Sequence, residues 1–407
     1  MWEKIRLQFQ SLPGTVKKLG WVSFFADVSS EMLYPITPLF LTTVLGASTM
    51  SVGLIEGVAE AIASLLKTSS GFWADRIHRR KPFVVVGYLL AALAKPGIGL
   101  SQSWLQVLAA RGLDRVGKGL RTAPRDALIV DAVSAENRGA AFGWHRGMDT
   151  MGAFVGPLFA AAILQWHWMS LRSIYNWALL PGLAAVAVTL TLKEKPQQPR
   201  AGKDKDTTTV ASPVQAERTR EFRKFLFAWV VFALCNSSDV FLLLRAQKTS
   251  GVSPAIVILL YCAYNLIYAV SAPYLGGLSD RWGRKRLLVT GLLVFALVYL
   301  GFAFAQSLPQ FVVLFLIYGL YMGATDGVGK ALVADVAPPN RKATWLGYQA
   351  TATGLATVVA STAAGYLWDT VGPAAAFEYG AAGALLAAGL LSVGGLRTQM
   401  TKEGGSL

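Results

Sequence analysis

Twelve predominantly apolar runs divide this chain, and they constrain its fold more than any other feature. A helix needs ~20 mostly apolar residues to cross the hydrocarbon core of a bilayer. Only 15% of the residues are charged, against about 25% in soluble domains. The pattern excludes an ordinary soluble enzyme and predicts an all-α membrane protein. The predicted spans are 19–45, 50–74, 82–101, 104–131, 139–165, 170–192, 222–246, 253–279, 286–306, 309–335, 342–367 and 373–396.

Lysine and arginine are distributed unequally between the two sides of these spans. Most of the 38 lie in the terminal segments and in the loops after even-numbered spans, whereas Arg172, Arg245 and Lys248 lie on the other side. Because basic residues accumulate on the cytoplasmic side, we expect a multi-pass protein of the cytoplasmic membrane with both termini in the cytoplasm. The net charge of +15 then reflects contact with anionic lipid and not nucleic-acid binding.

Aromatic residues mark the predicted outer interface. Trp104, Trp166 and Trp168 lie at the outer ends of spans, as aromatic belts do. The segment 1–18 is amphipathic and lacks both the apolar core and the cleavage site of a signal peptide, so we predict no cleaved signal.

The two halves of the chain resemble each other at a near-constant offset. The matching elements are Ser29–Glu31 with Ser237–Asp239, Gly71–Arg80 with Gly276–Lys285, Asp131 with Asp335, and Gly143 with Gly347. Between the halves lies a polar stretch with the composition of a flexible spacer. We predict a six-helix bundle over 1–192, a cytoplasmic linker over 193–221 and a second six-helix bundle over 222–407. A pseudo-two-fold axis would relate the bundles, with a polar site between them.

Short motifs identify a family. The loop pattern G-x-x-x-D-R-x-G-R-[RK] is complete at Gly276–Lys285, and Gly71–Arg80 matches it except that His78 replaces a glycine. Span four begins R-x-x-D at Arg111 and Asp114. In these motifs the chain resembles the major facilitator superfamily over nearly its whole length. The motifs F-F-x-D-x-S-S-E-M-x-Y-P at 24–35 and D-R-x-G-K-G-x-R-x-x-P-R-D at 114–126 are similar to a bacterial and archaeal subgroup.

The resemblance implies twelve helices in two bundles, alternating access and coupling of a solute to an ion. It also implies cytoplasmic charge contacts that close the inner side, in which aspartates meet helix N-termini and arginines. From the residues alone, the same charges could equally serve to orient the chain in the membrane. The candidate gate residues are Gly71, Asp75, Arg76, Arg79, Asp131, Arg138, Gly276, Asp280, Arg281, Arg284 and Asp335.

Span four carries charged residues on one helical face. Their i, i+3/i+4 spacing places them in one stripe along the helix: Arg111, Asp114, Arg115, Lys118, Arg121 and Arg125. A charge at the bilayer centre costs ~2.5–3.5 kcal/mol on insertion scales, so such residues must be paired or line a wet cavity. A row of guanidinium and ammonium groups suits a carboxylate, sulfonate or phosphate. The alternative is pairing with acidic residues of neighbouring spans.

Acidic residues also occur inside the spans of the first half. The candidates for ion coupling are Asp27, Glu31, Glu56, Glu60 and Asp149. Burial favours the protonated form of a carboxyl group, so such a residue can load and release a proton. The alternative coupling ion is Na⁺, which paired carboxylates also suit. With no His or Cys cluster, we predict no metal site and no cofactor.

The second half has fewer charges and more tyrosine. Asp239, Tyr318, Tyr321 and Asp326 are the residues we expect to contact the solute there, although tyrosine at helical spacing also serves packing.

We therefore predict a monomeric secondary transporter that moves a small organic solute, anionic or zwitterionic. Direct use of ATP is not expected, because no Walker motif is present. Protons are the expected coupling ion. The glycines of span five (Gly147, Gly152 and Gly156, followed by Pro157) partly match an antiporter signature and favour export. Alternative cargoes are drugs, metal chelates and siderophores. An integral-membrane enzyme or receptor is the remote alternative.

Overall fold

The computed structural model describes residues 7–34, 36–165, 169–194 and 213–393, and these are almost wholly helical, which confirms the all-α prediction. The first half contains α1 (Gly14–Glu31), α2 (Ile36–Leu39), α3 (Thr49–Ile77), α4 (Lys81–Leu100), α5 (Trp104–Ala132), α6 (Arg138–Gln165), α7 (Leu171–Trp177) and α8 (Leu179–Leu190). The second half contains α9 (Pro213–Ala233), α10 (Val240–Ser250), α11 (Pro254–Trp282), α12 (Arg284–Phe304), α13 (Leu308–Val336), α14 (Lys342–Thr370) and α15 (Pro373–Val393).

Hydrophobic length alone identifies only part of the membrane-spanning set. Within the described residues, six helices are long and apolar enough to cross a bilayer: α4, α7 with α8, α11, α12, α13 and α15. Other long helices, such as α3 and α5, carry charged residues along their length. This is the composition expected of helices that line a polar route through the membrane.

The first and seventh predicted spans, 19–45 and 222–246, are each interrupted by a break in the helix. Helix α1 ends at Glu31, and residues 234–239 separate α9 from α10. Both breaks coincide with the repeated Ser-Ser-acid element. They therefore place Glu31 and Asp239 at helix ends inside the membrane-spanning part of each bundle.

Local chemistry explains both interruptions. Tyr34 precedes Pro35, whose ring disfavours the helical conformation in the residue before it. In the second half, serine and asparagine side chains compete with the helix for backbone hydrogen bonds. There the Ser238 backbone N–H donates to the Ser361 hydroxyl at 3.1 Å instead of to a helical carbonyl.

The linker is shorter than the prediction of 193–221, because α9 already begins at Pro213. Proline is well tolerated in the first turn of a helix, and its fixed φ favours that position. Residues 195–212 and the predicted interfacial Trp166 and Trp168 lie outside the described residues.

Glycines bring the two bundles together along α6 with α11 and along α3 with α14. A side chain at any of four glycines would collide with the facing helix: Gly139 faces Gly276, Gly143 faces Ala272, Gly71 faces Ala343, and Gly347 faces Lys67. The pairs repeat between the halves at the offset seen in the sequence. All of them lie on the face of the protein where α3 and α11 end and α6 and α14 begin, so the bundles are closed on that face. The distribution of basic residues predicts that this face is cytoplasmic, and we name it the cytoplasmic side.

We expect Gly143→Val to prevent this closure. The new side chain would lie on the Ala272 carbonyl oxygen, and overpacking of this kind costs ~1–3 kcal/mol. The measurement is maleimide labelling of S64C, a site buried at the α3–α14 interface, in a background lacking Cys235 and Cys262. Labelling should rise several-fold. Gly57→Val is the matched control, because nothing lies within 4 Å of that position; equal labelling in both variants would contradict the packing argument.

Candidate functional site

Two carboxylates on the cytoplasmic side each cap a helix of the opposite bundle. Asp75, near the end of α3, accepts hydrogen bonds from the backbone N–H groups of Ala343 (3.3 Å) and Thr344 (2.7 Å) and from the Thr344 hydroxyl (2.8 Å). These residues begin α14, so the carboxylate meets the positive end of that helix dipole. The Arg80 guanidinium lies 3.2 Å from Asp75 on the other side.

The second half repeats the arrangement. Asp280, near the end of α11, accepts hydrogen bonds from the backbone N–H groups of Gly139 (2.8 Å) and Ala140 (2.9 Å), which begin α6. The Arg284 guanidinium donates to Asp280 at 2.8 Å and also pairs with Asp335 of α13. We name these two sets of contacts the Asp75 cap and the Asp280 cap.

The predicted gate residues divide into two groups. At the cytoplasmic contacts between the bundles, the structure brings together Gly71, Asp75, Asp131, Arg138, Gly276, Asp280, Arg284 and Asp335. Arg76, Arg79 and Arg281 are exposed and form no ion pair within the described part of the chain.

Arg80, and not the predicted Arg79, occupies the place that Arg284 takes in the second half. The loop after α3 turns at His78, in the left-handed conformation with φ of 57°, whereas the loop after α11 turns at Gly283 with φ of 99°. Helix α12 begins directly after Gly283, but two residues separate His78 from α4. The arginine that reaches the carboxylate is therefore one residue later in the first half, a shift that the aligned motifs conceal.

A second layer of ion pairs joins the bundles within the membrane. The Arg146 guanidinium of α6 lies 2.8 Å from Asp326 of α13 and 2.7 Å from Asp149 of its own helix. Lys330 of α13 lies 2.8 Å from Asp126 of α5. Both links lie in the cytoplasmic half of their helices and reinforce closure on that side. Neither Arg146 nor Lys330 was among the predicted site residues, although both were visible as charges inside apolar spans.

Part of the basic stripe on α5 is neutralised by acidic side chains. Arg111 donates two hydrogen bonds to Glu56 of α3, at 3.1 and 3.2 Å, and lies 3.6 Å from Asp114. Arg115 is 3.8 Å from the same Glu56. Near the cytoplasmic end, Arg125 pairs with Asp126 at 2.8 Å. These three arginines are thus paired with acidic side chains of the protein, which is the alternative to binding an anionic solute.

The middle of the stripe is different. Within the described residues, neither Lys118 nor Arg121 forms an ion pair. The Nε and Nη1 atoms of Arg121 are buried and have no hydrogen-bond partner, while its guanidinium lies over the Tyr88 ring at 4.2 Å from the centroid. The stripe thus contains two cations at mid-helix that no carboxylate contacts directly.

The predicted coupling carboxylates occupy different surroundings. Glu31 accepts a hydrogen bond from the Tyr261 hydroxyl of the other bundle at 3.1 Å. Asp27 of α1 lies beside Asp149 of α6, and two carboxyl groups at close range favour a proton on one of them. Glu60 lies 3.6 Å from Lys67.

The predicted solute contacts of the second half do not form one group. Asp239 accepts hydrogen bonds from the hydroxyls of Tyr264 (2.8 Å) and Tyr318 (2.7 Å). Asp326 is instead engaged by Arg146 and by the Tyr268 hydroxyl at 2.7 Å. Tyr321 packs among buried rings, with its ring centroid 4.9 Å from that of Phe295. Its contacts are those of a packing residue, the alternative to contact with the solute. Tyr264 and Tyr268 gave no sequence signal beyond their place in an apolar span.

Two helical bundles that close on one face around a charged interior define a membrane transporter of the alternating-access class. The Major Facilitator Superfamily profile matches residues 19–253 and 240–404. The chain belongs to this family, and it is a multi-pass transporter and not an enzyme.

Known proteins agree with this assignment. An uncharacterised MFS-type transporter of Methanocaldococcus jannaschii is 36% identical over 94% of this chain and 95% of its own length. A protein named as a multi-drug resistance efflux pump homologue in Lactococcus lactis is 25% identical over 86% of this chain and 88% of its own. The crystal structure of the human organic anion transporter MFSD10 has the same fold, with a TM-score of 0.76 at 17% identity over 93% of this chain and all (100%) of that one.

We expect Arg146 and Asp326 to act as one unit in closing the cytoplasmic side. Removing one partner of a buried ion pair typically costs ~3–5 kcal/mol, because the other charge is left uncompensated. Arg146→Gln and Asp326→Asn should each raise S64C labelling strongly, and the double variant should raise it by less than the sum of the two. Arg172→Ala is the control, since that side chain donates to the Gly99 and Ser101 carbonyls and lies over the Phe40 ring, all within the first bundle. Additive effects would contradict a direct link.

Proposed function

We propose that this protein is a proton-coupled exporter of a small organic solute that carries an anionic group. The observation that supports the anionic group is that Lys118 and Arg121, at the middle of α5, form no ion pair within the described residues. Buried charges without partners are costly within a membrane protein. A carboxylate, sulfonate or phosphate of the solute would supply the missing partner, and the forked donors of Arg121 suit such a group.

The proposed coupling site is the carboxyl pair formed by Asp27 and Asp149. The two groups lie side by side, so a proton on one of them would relieve their repulsion, and Asp149 also contacts Arg146. The same Arg146 crosses to Asp326 of the second bundle. Loss of the proton leaves two negative groups that compete with Asp326 for one arginine. Proton release and loosening of the cytoplasmic side are therefore linked through a single side chain.

Two observations support the direction of export. Relatives at 25% and 23% identity are named as a multi-drug efflux pump homologue and a multidrug resistance protein. The glycines of α6 also fit the antiporter pattern, with Gly152 packed on Asp27 and Gly156 on α1 near Met32. Extrusion of lipophilic cationic drugs is the second candidate, favoured by the names of these relatives and by the tyrosines around Asp239.

Proteoliposomes with an imposed pH gradient test this function. A mixture of organic acids, amino acids and lipophilic cations is supplied, and the accumulated compounds are identified by mass spectrometry. We expect accumulation of compounds with an anionic group that collapses when the gradient is removed. Accumulation of lipophilic cations alone would favour the second candidate, and flux that ignores the gradient would exclude proton coupling.

Arg121→Ala should weaken the binding of an accumulated anion by at least about tenfold, because a charge-assisted hydrogen bond contributes ~1.5–3 kcal/mol. A neutral analogue, such as the methyl ester of the same compound, should lose much less. Arg125→Ala provides the comparison, since Arg125 is already paired with Asp126 and should not discriminate between the two compounds. Equal losses for acid and ester in Arg121→Ala would assign that residue a structural role.

A further inference from the structure

Asp239 is a carboxylate inside the membrane-spanning part of the second bundle, and within the described residues it has no cationic partner. Its two oxygens accept hydrogen bonds from Tyr264 at 2.8 Å and Tyr318 at 2.7 Å. These phenols are neutral donors, so they orient the carboxylate without cancelling its charge. The side chain is only partly buried and remains accessible. Asp326, the comparable aspartate on α13, is neutralised by Arg146.

Aromatic rings surround this carboxylate and continue across the interface between the bundles. Tyr34 of the first bundle stacks on Tyr261 at 6.3 Å and 15°. Tyr261 meets Tyr264 edge to face at 5.4 Å, and Tyr264 meets Tyr318 in the same way at 5.5 Å. Tyrosine faces attract cations, and the attraction is greatest where the cation is desolvated. A carboxylate set among tyrosines is therefore suited to a substituted ammonium group.

The basic residues of α5 and the carboxylate of Asp239 lie on opposite sides of the hydrogen bond between Glu31 and Tyr261, which joins the two bundles. Glu31 accepts the Tyr261 hydrogen bond across the interface, and within its own bundle the charge of Lys118 acts on it. The unneutralised cations of α5 thus lie on the first-bundle side of the Glu31–Tyr261 bridge. The unneutralised carboxylate of Asp239 lies on the second-bundle side.

We infer that the transported solute is zwitterionic, and that Asp239 with its tyrosines binds a positively charged nitrogen while Lys118 and Arg121 bind the anionic group. The inference rests on the proposed function, which assigns the solute an anionic group, and adds a positively charged nitrogen on the same solute. It also unites the two candidate cargoes, because the aromatic, acidic surroundings that favour a cation belong to the same site as the basic stripe.

Thermal stabilisation of the purified full-length protein tests the inference without a transport assay. The probes are ω-amino carboxylates with two to six methylene groups between the charges, each compared with its N-acetyl derivative and its methyl ester. At the best chain length the zwitterion should bind more than tenfold tighter than either derivative. Asp239→Asn should reduce binding of the zwitterion to that of the N-acetyl compound and leave the N-acetyl compound unaffected. Asp369→Asn is the control, since this carboxylate of the same bundle is exposed, and it should preserve the preference for the zwitterion.

Two results would overturn the inference. One is an N-acetyl compound that binds as well as its parent amine at every length. The other is Asp239→Asn retaining the full preference for the amine. Failure of the proposed function has a different signature, namely absence of gradient-driven flux for every compound. Gradient-driven export of a solute without an amine, unchanged in Asp239→Asn, would sustain the proposed function and reject only the zwitterion.

A separate observation concerns the segment that precedes α1. The Gln8 amide donates to Asn137 at 2.8 Å and to Asp280 at 3.0 Å, so it joins a loop of the first bundle to the Asp280 cap of the second. The Phe9 ring meets Tyr274 of α11 edge to face at 6.2 Å. The Asp75 cap has no equivalent strap within the described residues.

We propose that residues 8–12 form a strap that holds the cytoplasmic side closed. Gln8→Ala should raise S64C labelling several-fold with little change in thermal stability, because it removes the hydrogen bond to Asp280 that crosses the interface. Gln10→Ala is the matched control, since Gln10 is exposed. Labelling of Gln8→Ala no greater than that of Gln10→Ala would overturn this role.

Discussion

Closure of the cytoplasmic side depends on carboxylates that satisfy the helix N-termini of the opposite bundle. The first N–H groups of a helix have no partner within it, and they need an acceptor once water is excluded. Asp75 supplies this acceptor for α14, and Asp280 supplies it for α6. Each contact is made only when the bundles meet, and water can replace it when they separate. The caps therefore stabilise one conformation without making it permanent.

Deeper ion pairs extend the same principle into the membrane. Arg146 and Lys330 have partners on the other bundle, so separation of the bundles would expose four charged groups that the closed state pairs. Such a change is tolerable only if water or new partners reach them. Arg146 has a second partner available in Asp149, on its own helix. In the proposed coupling, this exchange of partners would let a protonation event on the first bundle influence contacts with the second.

The sequence predicted the architecture far better than the pairings. Apolar runs, charge asymmetry and the internal repeat were sufficient for the helical class and the bundle symmetry, because these depend on local composition. The breaks after Glu31 and before Val240 were missed, since the surrounding runs stay apolar and only short polar elements interrupt them. Arg80 was missed because a one-residue difference in turn geometry does not alter the motif. Arg146 pairs with Asp326, which lies 180 positions away in the sequence, and helical periodicity predicts contacts only between residues a few positions apart.

The basic stripe shows why an even pattern in sequence becomes uneven in space. Its residues are equivalent by helical spacing, but within the described residues the ion pairs of its cations lie toward its two ends, with Glu56 and Asp114 at one end and Asp126 at the other. Helix α5 has 29 residues, from Trp104 to Ala132, so Lys118 stands at its midpoint and Arg121 one turn beyond. Transporters with repeated halves place their sites near the bilayer midplane, where access from both faces meets. The depth at which the stripe lacks carboxylate partners is therefore the depth at which a solute must bind if both sides are to reach it in turn.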